Sequence, residues 1–181
     1  GVRLSSANSI NFGRLAPQIA YYIYSYGRLV AAKEIEAGQE VNFVVPTGNF
    51  GNILAAYYAK RMGLPIYRLI CASNKNNVLS DFLESGVYMA QREFYKTISP
   101  SMDILISSNL ERLLFEISGR DSKAICHYMQ DLKEQGNYRI RLADKLELNG
   151  QFFGDFADEY PTRSIIKSTF ENDGYLLDPH T

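Results

Sequence analysis

Val41-Asn42-Phe43-Val44-Val45-Pro46-Thr47-Gly48-Asn49-Phe50-Gly51-Asn52 runs a β-type segment straight into a glycine-rich turn, and a helical pattern opens at Ile53. A strand that ends in such a turn and feeds a helix aims several backbone N–H groups, with the positive end of the helix dipole, at one point. That point suits a phosphate. A backbone closing around an anion must take positive φ and approach it without Cβ atoms in the way, so Gly48 and Gly51 are expected to supply both. Asn49 and Asn52 tolerate left-handed conformations, and their amides can donate to a phosphate oxygen or cap the helix. Taken alone, the loop is equally compatible with a plain βα turn. No Lys-Ser/Thr pair follows the second glycine and the Gly-x-Gly-x-x-Gly spacing is missing, which disfavours nucleoside triphosphates and NAD.

Outward from the loop, Ile53 to Met62 reads as a helix closed by Gly63, and Pro65 leads into a strand from Ile66 to Ala72. Strand, helix and strand within some thirty residues make a βαβ unit with a parallel sheet. Upstream, apolar residues recur at helical spacing from Phe12 to Lys33, which predicts a largely buried helix; Tyr21, Tyr22, Tyr24 and Tyr26 read as core packing, with a ligand-stacking platform as the other reading. Downstream, helices are expected over Val78–Glu84, Asn109–Ile117 and Ser122–Gln135, each stopped by a glycine. Val87–Pro100 reads as a loop, and Tyr138–Leu142 as a half-exposed strand. Gly150–Glu159 reads as an ordered surface excursion. A last helix is expected after Pro161-Thr162, with Tyr175-Leu176-Leu177 heading back to the sheet.

The chain has 181 residues, 46% of them hydrophobic, enough for one sizeable core, so a single α/β domain over 1–181 is expected. Lys and Arg number 19 against 20 Asp and Glu, a net charge of -1, which offers no bulk field for nucleic acid or an anionic membrane. No apolar run approaches the roughly 20 residues that cross a bilayer, and Gly1-Val2-Arg3-Leu4 opens no signal peptide. Cys71 and Cys126 have no partner spacing for zinc and read as small hydrophobes of a reducing compartment; a cytoplasmic protein is expected. His127 and His180 have no triad partners, and the scattered carboxylates show no metal-binding spacing.

Several further words accompany the loop. Ser6-Ala7-Asn8-Ser9-Ile10-Asn11 precedes Gly13-Arg14-Leu15-Ala16-Pro17-Gln18; Leu64-Pro65-Ile66 precedes Ile70-Cys71-Ala72-Ser73-Asn74. Ser99-Pro100-Ser101-Met102-Asp103-Ile104, Ser107-Ser108-Asn109-Leu110-Glu111-Arg112 and Leu177-Asp178-Pro179-His180-Thr181 follow in order. Together they resemble threonine synthase, a pyridoxal-phosphate enzyme of fold type II. The resemblance implies a three-layer α/β/α domain with a parallel sheet, of which this chain is a part. It implies conversion of O-phosphohomoserine and water to threonine and phosphate, with the cofactor as electron sink.

Residue by residue, the resemblance makes Gly48, Asn49, Phe50, Gly51 and Asn52 the holders of the cofactor phosphate, with Thr47 either a hydroxyl donor or a shaper of the turn. It makes Thr181 the partner of the pyridine nitrogen. Ser9 and Asn11 border the substrate pocket in the family; helix capping is their other role, and Arg14 is a candidate for the substrate phosphate or a structural arginine. The Schiff-base lysine belongs to a Phe-Lys-Asp-type context that is missing, and none of the chain's lysines takes its place. The chain is therefore expected to be a portion of a longer enzyme, inactive alone, without a catalytic residue or metal of its own. Apolar surface exposed by that truncation predicts self-association, which a strict monomer in light scattering at high concentration would defeat. The alternatives are another fold type II enzyme, such as serine or threonine dehydratase or cysteine synthase, and a non-catalytic phosphate-binding or assembly module.

Overall fold

The computed structural model describes residues 8–180. In chain order it contains α1 (Phe12–Leu15), a 3-10 turn (Ala16–Gln18), α2 (Ile19–Ala31), β1 (Val41–Pro46), α3 (Gly51–Arg61), β2 (Ile66–Ser73) and α4 (Val78–Ser85). Then come β3 (Val87–Met89), a 3-10 turn (Pro100–Met102), α5 (Leu110–Ile117), α6 (Ser122–Gln135), β4 (Asn137–Arg139), α7 (Leu142–Gln151), β5 (Phe152–Phe156) and α8 (Glu159–Asp173). This is an α/β fold built on a parallel sheet with flanking helices, as expected. The strand order is β1-β2-β5, and β3 pairs with β4 in a separate antiparallel ribbon.

The βαβ unit forms where the sequence places it. Val45 pairs with Cys71 and Pro46 with Ala72, and the Thr47 N–H donates to the Ala72 carbonyl at 2.8 Å, so the ladder reaches into the loop. Ile53, Leu54, Ala55, Ala56, Tyr57 and Ala59 of α3 are all buried, which requires cover on more than one side. The Tyr57 ring lies 6.0 Å from Phe152 of β5, and the Tyr58 ring meets Phe12 of α1 edge-on at 6.3 Å. Phe43, Leu69 and Phe152 share one face of the sheet, as do Val45, Cys71 and Gly154. Burial there pushes the Cys71 thiol up to about 12, leaving it an inert small hydrophobe.

Five expectations are corrected. The helix predicted over 12–33 is broken by the 3-10 turn at Pro17, whose ring nitrogen has no hydrogen to donate. It is not largely buried either: Tyr22 and Tyr26 face inward one turn apart, whereas Tyr21 is 64% and Tyr24 68% exposed. The strand expected at 138–142 is β4, three residues long, and Leu142 starts α7 instead. The excursion at 150–159 contains β5, whose backbone pairs with β2 from Leu69–Phe152 to Ser73–Phe156. Within the predicted 87–100 loop, β3 sets Tyr88 opposite Tyr138 with their rings stacked 5.2 Å apart. Tyr175-Leu176-Leu177 joins no strand.

Candidate functional site

Peptide geometry aims the loop. Ser107 Oγ donates to the Gly48 carbonyl at 2.8 Å, while the backbone N–H and side-chain amide of Asn109 donate to the Asn49 carbonyl at 3.1 and 2.9 Å. Each carbonyl shares a planar trans peptide with the next residue's N–H, so holding both oxygens on Ser107 and Asn109 turns the N–H groups of Asn49 and Phe50 the opposite way. Among the described residues, no acceptor meets the N–H of Gly48, Asn49, Phe50, Gly51 or Asn52. Gly51 and Asn52 open α3, adding the dipole of an eleven-residue helix. The side-chain amides are aimed in the same manner: Asn49 Oδ1 accepts from Ser108 at 3.3 Å and Asn52 Oδ1 from the Tyr22 hydroxyl at 2.8 Å. Each amide nitrogen is left without an acceptor among the described residues. Burial raises the Tyr22 hydroxyl well above its usual range, so it remains a donor.

The glycines act differently from expectation. Neither Gly48 nor Gly51 has positive φ; Phe50 does, at φ 61 and ψ 5. Its ring is buried, 5.8 Å from Phe152, and that packing holds an L-residue in the left-handed region. Gly48 is needed for close approach. A Cβ there would lie 3.1 Å from the Ser101 carbonyl oxygen, 3.2 Å from Met102 Cα and 3.0 Å from Ile104 Cδ1. Thr47 shapes the turn, its hydroxyl donating to the Val45 carbonyl at 2.6 Å.

A cleft of about 180 Å³ opens over this loop, lined also by Ser9, Arg14, Gln18 and Ser101. Among the described residues, its lining holds one cation, Arg14, and no carboxylate. Ser9 therefore reaches the cleft. Asn11 does not line it; its Oδ1 accepts from the Gly13 N–H at 2.8 Å and caps α1. Thr181 lies outside the described residues, as does Ser6. The preceding turn is present: His180 Nδ1 lies 2.9 Å from Asp178 Oδ1, and the Ser101 N–H donates to His180 Nε2 at 3.4 Å. The Ser99–Ile104 loop is pinned by Asp103, whose Oδ1 accepts from Asn74 at 2.8 Å and Thr97 at 2.7 Å.

Sequence reasoning placed Tyr22 in the core and gave no site role to it or to Gln18, Ser101, Ser107, Asn109 or Arg112. Five of the words quoted for the resemblance nevertheless converge on this cleft or its supports, from 9–18, 46–52, 99–104, 107–112 and 178–180. Oε1 of Gln18, a cleft-lining residue, is buried without a hydrogen-bond partner among the described residues.

A parallel βαβ unit with flanking helices, its loop presenting unpaired N–H groups at a helix start, is the architecture of a fold type II α/β domain. Over nearly all of its length the chain is homologous, in sequence and in fold, to threonine synthases. It is 40% identical over 194 residues to threonine synthase of Saccharomyces cerevisiae, covering 98% of this chain and 37% of that protein. It is 47% identical over 182 residues to threonine synthase-like 1 of Homo sapiens, covering 100% of this chain and 24% of the relative. The crystal structure of PLP-bound threonine synthase from Brucella melitensis superposes with a TM-score of 0.90 at 47% identity, over 98% of this chain and 37% of that one. The chain thus spans between a quarter and two fifths of these relatives' length. No protein-family model matches it.

Proposed function

We propose that this chain supplies the cofactor-phosphate side of a threonine synthase, which converts O-phospho-L-homoserine and water to L-threonine and phosphate. The observation that carries the reading is the set of unpaired N–H groups at Asn49 and Phe50, fixed by the outward-held carbonyls of Gly48 and Asn49. A cleft whose described lining includes Arg14 and no carboxylate accords with an anionic ligand. Gly48, Asn49, Phe50, Gly51 and Asn52 would hold the phosphate of pyridoxal 5′-phosphate through backbone N–H groups and the two side-chain amides. When bound, the cofactor supplies an electron sink for the substrate's carbanions. Ser9 and Arg14 would face the substrate side of the cleft, and Asn11 would orient that segment through its cap on α1. Thr181 would meet the pyridine nitrogen.

Residues 1–181 are read as one α/β domain, part of the cofactor-binding region of a longer cytoplasmic enzyme. In this reading the Schiff-base lysine would lie elsewhere in the full-length protein, and this chain alone would be inactive. No helix among the described residues is long and apolar enough to cross a membrane.

Assay of the full-length protein with O-phospho-L-homoserine tests the reading. Threonine and inorganic phosphate should appear in equal amounts. In Gly48→Val the new side chain meets the backbone of Ser101 and Met102, and turnover should fall by about a hundredfold or more through the misplaced phosphate site. A protein that loads cofactor, leaves O-phosphohomoserine untouched and deaminates serine or threonine would instead be a dehydratase.

A further inference from the structure

Asn109 is 0% exposed and stands where three distant segments meet. Its side-chain nitrogen donates one hydrogen to the Asn49 carbonyl and the other to the Ser9 carbonyl, both at 2.9 Å. Its side-chain oxygen accepts from Arg112 Nη1, and Arg112 Nη2 donates to the Ile10 carbonyl at 2.5 Å. Arginine can only donate, so this contact fixes the orientation of the amide: oxygen toward Arg112, hydrogens toward the two carbonyls. We infer that Asn109, oriented by Arg112, is a positioning residue that sets the direction of the phosphate loop's N–H groups and ties the loop to the Ser9 wall of the cleft. The inference rests on residues 48–52 being a cofactor-phosphate site.

The chemistry admits few replacements. Aspartate has the same outline but no hydrogens, and would set a buried carboxylate against two carbonyl oxygens and take away one of the two donors that steer the Asn49 peptide, leaving only the Asn109 backbone N–H. Leucine fills the space and donates nothing. Serine is too short for its hydroxyl to reach both carbonyls, and has only one hydrogen to give. When a carboxylate repels the Asn49 carbonyl against the pull of the Asn109 backbone N–H, the Phe50 N–H on the same peptide plane turns away from the direction it would present to a ligand. The second hydrogen of the same NH2 group holds the Ser9 carbonyl, so one amide ties the two walls of the cleft together.

The experiment compares binding of pyridoxamine 5′-phosphate and pyridoxamine to the full-length protein by calorimetry. Their affinity ratio isolates what the phosphate contributes. Wild type should prefer the phosphorylated ligand, and Asn109→Asp should lower that ratio about tenfold or more while leaving pyridoxamine binding unchanged. Leu114→Ala, which opens a cavity in α5 without touching the loop, should lower the melting temperature and keep the ratio. A ratio unchanged in Asn109→Asp overturns the positioning role alone; a wild type without phosphate preference overturns the phosphate site as well. If Asn109→Asp does not fold, Arg112→Lys decides. It cannot hold Asn109 and Ile10 with one planar fork, so the ratio should fall about threefold or more, and an unchanged ratio would again overturn the role.

Discussion

The β1–loop–α3–β2 unit and the α7–β5–α8 stretch both run strand and helix through one sheet, yet only the first declares itself in its own sequence. In the first, a run of valines, a glycine-bearing turn and a stop at Gly63 each give the local signal that the tertiary structure then uses. In the second, Phe152-Phe153-Gly154-Asp155-Phe156 has no period and few β-branched residues, and it becomes a strand because β2 is there to pair with it. Local propensity specifies an element where burial follows it; where it is silent, the partner decides.

The largest expected effect breaks the first region at its one locally disfavoured residue. Phe50 is buried against Phe152 and left-handed at once. Phe50→Ala removes the ring and keeps the unfavourable backbone, and should cost about 3–5 kcal/mol. Phe50→Gly loses the same ring but relieves the left-handed strain, and should be about 1 kcal/mol more stable than the alanine variant. Denaturant unfolding of the two proteins measures the difference. Alanine equal to or better than glycine would mean the loop relaxes away from its left-handed turn.

The second region is broken at Gly154. A Cβ there would lie 2.9 Å from the Ser80 Cα and 3.0 Å from Leu83 Cδ1, so α4 would have to move off the strand. Gly154→Ala should destabilise by about 1–3 kcal/mol. A change below about 0.5 kcal/mol is what a surface excursion would give, and would deny β5 its place beneath α4.

These two sites also mark what could be read in advance. The loop's position, the parallel βαβ unit and the glycine stops of α4, α6 and α8 follow from local chemistry. The division of labour inside the loop did not. Gly48 is needed because the 101–104 segment crowds it, and that segment arrives from more than fifty residues away. Positive φ fell to an aromatic residue, which no local preference would select. Asn109 was visible only as part of a word, since its partners Asn49 and Ser9 lie 60 and 100 residues upstream. An Asn three residues before an Arg at a helix start is the one trace of that strut in the sequence.

The smallest effect lies in the turn that closes the second region. Two groups of His180 hold the Asp178 carboxyl below its usual range, first the backbone N–H at 2.8 Å and then the ring. Because the Ser101 N–H donates to Nε2, the ring's hydrogen sits on Nδ1 and faces Asp178. A carboxyl depressed in the folded state adds stability above its unfolded pKa, and that stability is lost as pH falls through the lower folded value. Wild type and Asp178→Asn should therefore differ slightly at neutral pH and converge in acid below the ordinary carboxylate range. The group is exposed, so solvent screening keeps the difference small. NMR titration of the Asp178 carboxyl, with the Ser101 amide as reporter, reads it directly. A carboxyl titrating at its ordinary value, with no response at Ser101, would detach the turn from the cleft and leave the 47–52 loop to stand without it.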